Sequence, residues 1–229
     1  MASISNDVSL LDFQKFIEDV YKIPNDRQFN TTEMLTNIQR FTMRGIKGIR
    51  KKDPEKTKKN LLIAFSWFVS LMNQLHINLE KDLWERFPGV CPYCRKKPCQ
   101  CKEIKPEKRI DLTLSLKNKK PETLEEFQEL LEKIYPFSKR TIEDAGIHLA
   151  EEMGELSEAI LIYRSQRQNK DFEEIKLESA DYTSCLLGIF NSLKINLAEE
   201  LSKTFSNNCH ACHKMPCKCD FNFLTNFKF

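Results

Sequence analysis

The pattern of hydrophobic and polar positions predicts a chain built from amphipathic helices. From Leu10 to Val20 the apolar residues recur every three or four positions, which is the spacing of one helix face. Three helices are expected in the first part of the chain, over residues 10–21, 34–49 and 60–79. Pro24 and Asn25 should end the first helix, and the charged residues 51–59 should form a connection. These stretches, together with only six glycines for tight turns, indicate an all-α fold.

The second half of the chain repeats the first, which predicts two tandem helical bundles. Residues 195–197 repeat the Ile-Asn-Leu of residues 77–79, and the register holds from Asn60 onward at an offset of 118 positions. Leu124 starts a helical pattern that echoes the one at Leu10. We interpret this as a tandem duplication. The predicted parts are a first copy over residues 1–102, a linker over 103–121 with a short extended piece at 112–116, and a second copy over 122–229.

Two acidic stretches in the second copy form a candidate metal site. Glu152 and Glu155 are three positions apart, as are Glu178 and Asp181, so each pair shares one face of a predicted helix. Four carboxylates brought together would repel by roughly 1 kcal/mol per pair at ~4 Å even in water, so they need a cation. Oxygen-only ligands beside substrate phosphates favour Mg²⁺. A solvated acidic helix face is the alternative interpretation.

The order of these acids carries a family resemblance. The sequence Glu-Glu-x-x-Glu, then a spacer, then Glu-x-x-Asp resembles the signature of the MazG-type, all-α nucleoside triphosphate pyrophosphohydrolases, over residues 123–208. The resemblance implies Mg²⁺-dependent cleavage of a nucleoside triphosphate into a monophosphate and pyrophosphate, an activity that would clear unwanted nucleotides. The expected catalytic residues are Glu151, Glu152, Glu155, Glu178 and Asp181, the last four being the Mg²⁺ ligands.

The roles of the remaining polar residues are less closely defined by this resemblance. Glu151 would orient or deprotonate the attacking water, or be merely solvated. Lys203 and Asn207 resemble a Lys-x-x-x-Asn pattern found near the phosphates in the family, and Arg164 is an alternative cation. Gly154 lies inside the acidic stretch, where it suggests the close approach of a neighbouring helix or a phosphate.

The first copy lacks the acids. Asn60 aligns with Glu178 and Ile63 aligns with Asp181, so we expect one competent site per chain. Small members of the resembling family build their sites between paired helical protomers, which implies that the two copies form an internal pseudo-dimer with a non-catalytic first half. The aromatic residues of the first copy are then candidates for core packing or base contacts: Phe65, Trp67 and Phe68.

Eight of the nine cysteines fall into two sets of Cys-x-x-Cys-x-x-x-x-Cys-x-Cys, and each set closes one copy. The sets are Cys91, Cys94, Cys99 and Cys101, and Cys209, Cys212, Cys217 and Cys219. Four thiolates within eleven positions are typical of a closed, structural zinc site. Disulfide pairs and an iron–sulfur cluster are alternatives, and His210 or His213 could replace a cysteine. Cys185 is expected in the core.

Composition narrows the function classes. A net charge of +3 is too small to indicate binding to nucleic acid or to an anionic membrane, and the apolar run at residues 61–72 is too short for a bilayer. Without a recognisable signal peptide we expect a cytoplasmic protein. The aromatic tail, residues 221–229, suggests docking on the chain itself or in a homodimer. The alternative function is a non-catalytic, zinc-stabilised helical protein that binds a nucleotide, regulates a partner or touches nucleic acid.

Overall fold

The described residues of a computed structural model, 4–104 and 118–228, form α-helices and no β-strands, which confirms the all-α class. A 3₁₀ turn over Phe137–Lys139 separates the fifth and sixth helices. The extended piece predicted at 112–116 lies outside the described residues. The helices are α1 (Leu10–Gln28), α2 (Thr31–Arg50), α3 (Pro54–Gln74), α4 (Leu79–Arg86), α5 (Leu124–Ile134), α6 (Ile142–Gln166), α7 (Asn169–Ser192), α8 (Leu197–Thr204) and α9 (Phe221–Asn226).

The chain forms two compact units, and each unit combines segments from both predicted copies. The first unit joins Met1–Asn78 to Leu197–Phe229, and the second unit is Leu79–Asn196. Each unit therefore holds the first helices of one copy and the last helix and cysteine set of the other. The units do not follow the predicted boundaries at 102 and 122, while the duplication itself stays a prediction from the sequence.

The first unit is built on α1, α2 and α3, with α8 packed against α3. Phe13 of α1 stacks on Phe65 of α3 with ring centroids 5.5 Å apart, and Phe205 meets Phe13 edge-on at 6.0 Å. All three rings are buried, as are Trp67 and Phe68. The aromatic run of α3 therefore packs in the core, as the first of its two expected roles requires.

Helix α1 continues through Pro24 to Gln28, so the predicted break is wrong. Proline has no N–H to donate to the carbonyl of Val20 four residues earlier. The N–H of Cys217 donates to that carbonyl instead, at 2.8 Å. A cysteine of the second set thus supplies the donor that Pro24 removes, and the helix persists.

Helix α3 begins before the predicted start, inside the charged residues that we expected to form a connection. Asp53 accepts a hydrogen bond from the N–H of Lys56 at 2.9 Å, and Pro54 occupies the first helical position. An aspartate cap followed by proline is a strong helix start, because the cap satisfies a free N–H and proline has none to satisfy. The helix ends at Gln74, short of the predicted residue 79.

The second unit is built on α6 and α7, which pack side by side, with α4 and α5 also against α7. Gln128 of α5 donates to the Asn191 side chain at 2.9 Å and to the carbonyl of Ile195 at 2.7 Å. In the first unit, the equivalent Gln14 donates to the carbonyl of Ile77 at 2.6 Å. An equivalent glutamine hydrogen bond therefore stabilises both units, and Asn191 has a structural role.

The two cysteine sets also dock in equivalent ways. The N–H of Cys99 donates to the carbonyl of Ile134 at 2.8 Å, which matches the bond from Cys217 to Val20 in the first unit. Each cysteine set thus donates one backbone hydrogen bond to a helix of its own unit, the first set to α5 and the second set to α1.

The aromatic tail packs within its own unit. Arg40 of α2 donates to the carbonyls of Thr225 at 2.8 Å and Leu224 at 3.0 Å, and Phe221 stacks on Phe29. Docking on the chain itself was one of the two expected placements, and homodimer formation stays a prediction. Within the described residues, no helix has both the length and the apolar character needed to cross a bilayer.

Candidate metal sites and an adjoining cavity

The eight cysteines of the two sets lie in two groups of four, as their spacing predicts. Within each group the sulfur atoms lie within 4.8 Å of one another. In the first group Cys91 and Cys101 are 3.5 Å apart and Cys94 and Cys99 are 3.8 Å apart, with similar distances of 3.9 and 3.8 Å in the second. A tetrahedron with Zn–S bonds of about 2.3 Å places its sulfurs about 3.8 Å apart.

All nine cysteines are free thiols, so neither group contains the alternative disulfide pairs. Backbone N–H groups donate to the sulfurs in both groups, for example from Gln100 to Cys94 and from Lys218 to Cys212, each at 3.3 Å. Such bonds hold the sulfurs in place and stabilise thiolates. The two groups are therefore arranged to hold metal ions.

The acidic residues are positioned by α6 and α7. Helix α6 starts with a capping box in which Thr141 and Asp144 bond each other's backbone N–H groups. On these two packed helices, Glu152, Glu178 and Asp181 each place a carboxylate oxygen within 4.8 Å of the others. We call these three residues the acid cluster. Its geometry could hold a cation with oxygen ligands.

Glu178 is the most buried member of the acid cluster, with 4% of its surface exposed. Burial, followed by the charge of Asp181, a hydrogen bond with Glu174 and the charges of Glu155 and Glu152, raises the pKa of Glu178 to about 8. A bound cation would reverse this effect, because it favours the ionised carboxylate. The cluster thus carries the electrostatic cost that a cation would relieve.

Arg86 of α4 binds the third acid. Its Nε donates to Asp181 at 2.7 Å and its Nη2 bonds the second carboxylate oxygen, so the pair is bidentate. The side chains are 4% and 12% exposed. Burial lowers the pKa of Arg86, but the hydrogen bond and charge of Asp181 raise it overall, so Arg86 stays cationic. Arg86, which belongs to the predicted first copy, is therefore an internal counterion of the acid cluster.

A cavity of about 610 Å³ opens beside the acid cluster and is lined by Glu152 and Asp181. Part of its wall comes from the region of the first cysteine set, namely Tyr93 and residues 99–103 with Cys99 and Cys101, and another part is the turn before α6. Lys102, Lys139 and Arg140 also line it, so the cavity offers cations as well as acids. This size is within the range of small-molecule binding sites. A second cavity, of about 340 Å³, has no member of the acid cluster in its lining.

Other predicted site residues lie outside this group. Glu151 and Glu155 are exposed on α6, and Arg164 is exposed near its end. Lys203 and Asn207 belong to the first unit, where Lys203 pairs with Glu199 at 2.7 Å and Glu200 at 2.9 Å. Their roles at a substrate stay predictions.

Two further expectations are wrong in part. Nothing described lies within 4 Å of a Cβ built at Gly154, so no neighbouring helix explains this glycine. Cys185 lines the cavity and is only half-buried, whereas we expected it in the core.

Sequence reasoning missed Arg86 and Arg140. The first could have been found, because the two copies align closely around it and Thr204 stands at its equivalent position. A charge that one copy has and the other lacks is a signal of a specific role. Arg140 lies where the copies do not align, so no such signal exists.

Over the part of the chain that the structure describes, the fold is all-α, with two four-cysteine groups arranged for metal and one carboxylate cluster. No protein-family profile, curated protein or solved structure matches the chain. The likeness to MazG-type enzymes therefore rests on the acidic motif alone.

Proposed function

We propose that the chain is a Mg²⁺-dependent nucleoside triphosphate pyrophosphohydrolase whose site is the acid cluster and its cavity. The observation that supports this most is the meeting of Glu152, Glu178 and Asp181 beside a cavity of about 610 Å³, which Glu152 and Asp181 help to line. A ligand in this cavity would meet both carboxylates and basic side chains. A polyphosphate with a bound cation has the complementary charges.

The chemistry follows from what these residues offer. Glu152, Glu178 and Asp181 would hold Mg²⁺, which supplies charge neutralisation at the phosphates and activation of water. Water adds to phosphorus, the bond between the α- and β-phosphates breaks, and pyrophosphate leaves. Glu151, exposed one residue before Glu152 on the same helix, would orient the water or accept its proton.

The two cysteine groups are structural zinc sites in this proposal. Sulfur distances of 3.5–3.9 Å fit tetrahedral zinc, and four protein ligands leave no open position for catalysis. Free thiols fit a reducing compartment such as the cytoplasm. The zinc at Cys91 to Cys101 would hold one wall of the cavity.

One observation supports a second candidate, a nucleotide-binding protein without turnover. Arg86 already neutralises Asp181, which leaves less negative charge for a catalytic cation. In that case the cavity would bind a nucleotide without hydrolysing it, and Mg²⁺ would bind there weakly or not at all.

Pyrophosphate release separates the two candidates. The purified chain should release pyrophosphate from at least one member of a panel of ribo- and deoxynucleoside triphosphates, and only with Mg²⁺. Glu152→Gln and Asp181→Asn should abolish release, while Glu158→Gln, an exposed glutamate on the same helix, should retain it. Nucleotide binding without release by the wild-type chain would favour the second candidate.

A further inference from the structure

Among the described cations that line the cavity, Arg140 is the most buried. It follows the 3₁₀ turn at Phe137–Lys139, just before α6, and lines the cavity together with Glu152 and Asp181. Its side chain is half-buried, whereas Lys139 and Lys102 are exposed. An exposed lysine is screened by solvent and moves freely, so of these three described cations Arg140 is the one whose position the fold determines.

A glycine on α7 makes room for this side chain. A Cβ built at Gly188 would overlap the Nη2 of Arg140 and lie 3.1 Å from its Cζ. The guanidinium therefore lies directly against the helix backbone, one turn beyond Ser184 and Cys185, which line the cavity. Any larger residue at position 188 would push the guanidinium away. Glycine in the middle of a helix lowers stability by about 1 kcal/mol relative to alanine. The space that it leaves for the guanidinium of Arg140 accounts for a glycine at this position.

The described residues do not use the full hydrogen-bonding capacity of Arg140. Its Nε is buried and has no acceptor among residues 4–104 and 118–228. A buried donor without an acceptor is costly, and an anion in the cavity would relieve that cost. A planar guanidinium with parallel N–H groups is suited to phosphate oxygens.

We infer that Arg140, seated against Gly188, is the residue that binds a phosphate group of the cavity's ligand. This rests on the proposed function for the kind of ligand, a polyphosphate, and assigns its anchoring to a residue outside the acidic motif. In this arrangement the acid cluster binds the cation, and Arg140 binds a phosphate group of the same ligand.

Two substitutions test the inference in different ways. Arg140→Gln removes the charge, whereas Gly188→Ala keeps the charge and displaces the guanidinium. The atom that meets the new methyl is the end of a flexible side chain, so Gly188→Ala should fold normally. Gly154→Ala is the matched control, since it is also a glycine-to-alanine change in a long helix and its new methyl meets nothing within 4 Å.

The measurement is calorimetric titration of the zinc-loaded full chain with inorganic pyrophosphate in the presence of Mg²⁺. Arg140→Gln should weaken binding by about 10-fold or more, as expected for loss of a charge-assisted hydrogen bond. Gly188→Ala should also weaken binding several-fold, and Gly154→Ala should leave it within about twofold of wild type. Circular dichroism of each variant confirms folding, and if Arg140→Gln does not fold, Gly188→Ala decides.

The outcomes separate this inference from the proposed function. If both variants weaken pyrophosphate binding and the wild-type chain hydrolyses no triphosphate, the phosphate site is supported and the enzymatic proposal fails. If the wild-type chain hydrolyses triphosphates but Arg140→Gln and Gly188→Ala bind pyrophosphate as wild type does, the inference is overturned and the enzyme proposal stands. Absence of pyrophosphate binding by the wild-type chain overturns the inference as well.

Discussion

Replacing Arg86 by methionine should destabilise the protein strongly, because it leaves a buried acid without its counterion. Arg86 and Asp181 are 4% and 12% exposed, and the pair is bidentate. Removing one partner of a buried ion pair costs about 3–5 kcal/mol. The same size follows from Coulomb's law, which gives about 4 kcal/mol for unit charges 4 Å apart at an effective dielectric constant of 20.

Urea unfolding at pH 7 in Mg²⁺-free buffer measures the effect directly. In a separate thermal scan, a loss of about 4 kcal/mol in the free energy of unfolding would lower the melting temperature by about 8 °C if all 229 residues unfold together. Arg50→Met, at an exposed arginine that ends α2, should change the free energy of unfolding by less than about 0.5 kcal/mol.

Two further measurements connect this effect to the acid cluster. In the Arg86→Met background, Asp181→Asn should restore much of the lost stability, because the uncompensated charge is gone. Mg²⁺ should stabilise Arg86→Met more than it stabilises the wild type, since the variant has one positive charge fewer beside the acids. A loss below about 1 kcal/mol, or no coupling between the two substitutions, would refute the view that Arg86 is the counterion of the cluster.

The remaining predictions concern Glu178 and the cysteine groups. In the metal-free state the pKa of Glu178 is about 8 in the folded chain against 4.5 for the unfolded one, so folding retains a proton that unfolding releases between those values. Its contribution to stability is therefore fully present below pH 4.5 and lost as the pH rises to 8, and Glu178→Gln should flatten the measured decline; an unchanged slope would contradict this. Cys101→Ser and Cys219→Ser should each remove one of two zinc ions by elemental analysis. Cys101 lines the cavity and Cys219 does not, so only Cys101→Ser should weaken pyrophosphate binding, and equal effects of the two variants would count against a cavity wall stabilised by zinc.

Much of the fold follows from hydrophobic spacing. Two of the wrong helix boundaries each have a specific physical cause. Pro24 did not end α1, because Cys217, distant in sequence, donates to the carbonyl that the proline leaves free. The start of α3 at Pro54 was readable in principle, since the aspartate cap before it is a local signal that charge content obscured.

The acid cluster shows both the reach and the limit of the sequence. Helical spacing placed Glu152, Glu178 and Asp181 together, because residues three apart share a helix face and the two helices pack. The counterion could not be predicted from spacing, since Arg86 reaches the cluster only because α4 packs with the helices of the second copy. The hydrophobic periodicity of α4 is the same whether it packs against its own copy or against the other one.

Binding of a divalent cation tests the central claim most directly. Mn²⁺ accepts the oxygen ligands that Mg²⁺ uses, and its electron paramagnetic resonance signal reports the free ion during a titration of the zinc-loaded chain. We predict one Mn²⁺ bound per chain, competed by Mg²⁺ and weakened at least about 10-fold by Glu152→Gln or Glu178→Gln. Equal Mn²⁺ binding by the wild-type chain and both variants would contradict the assignment of these carboxylates as a cation site.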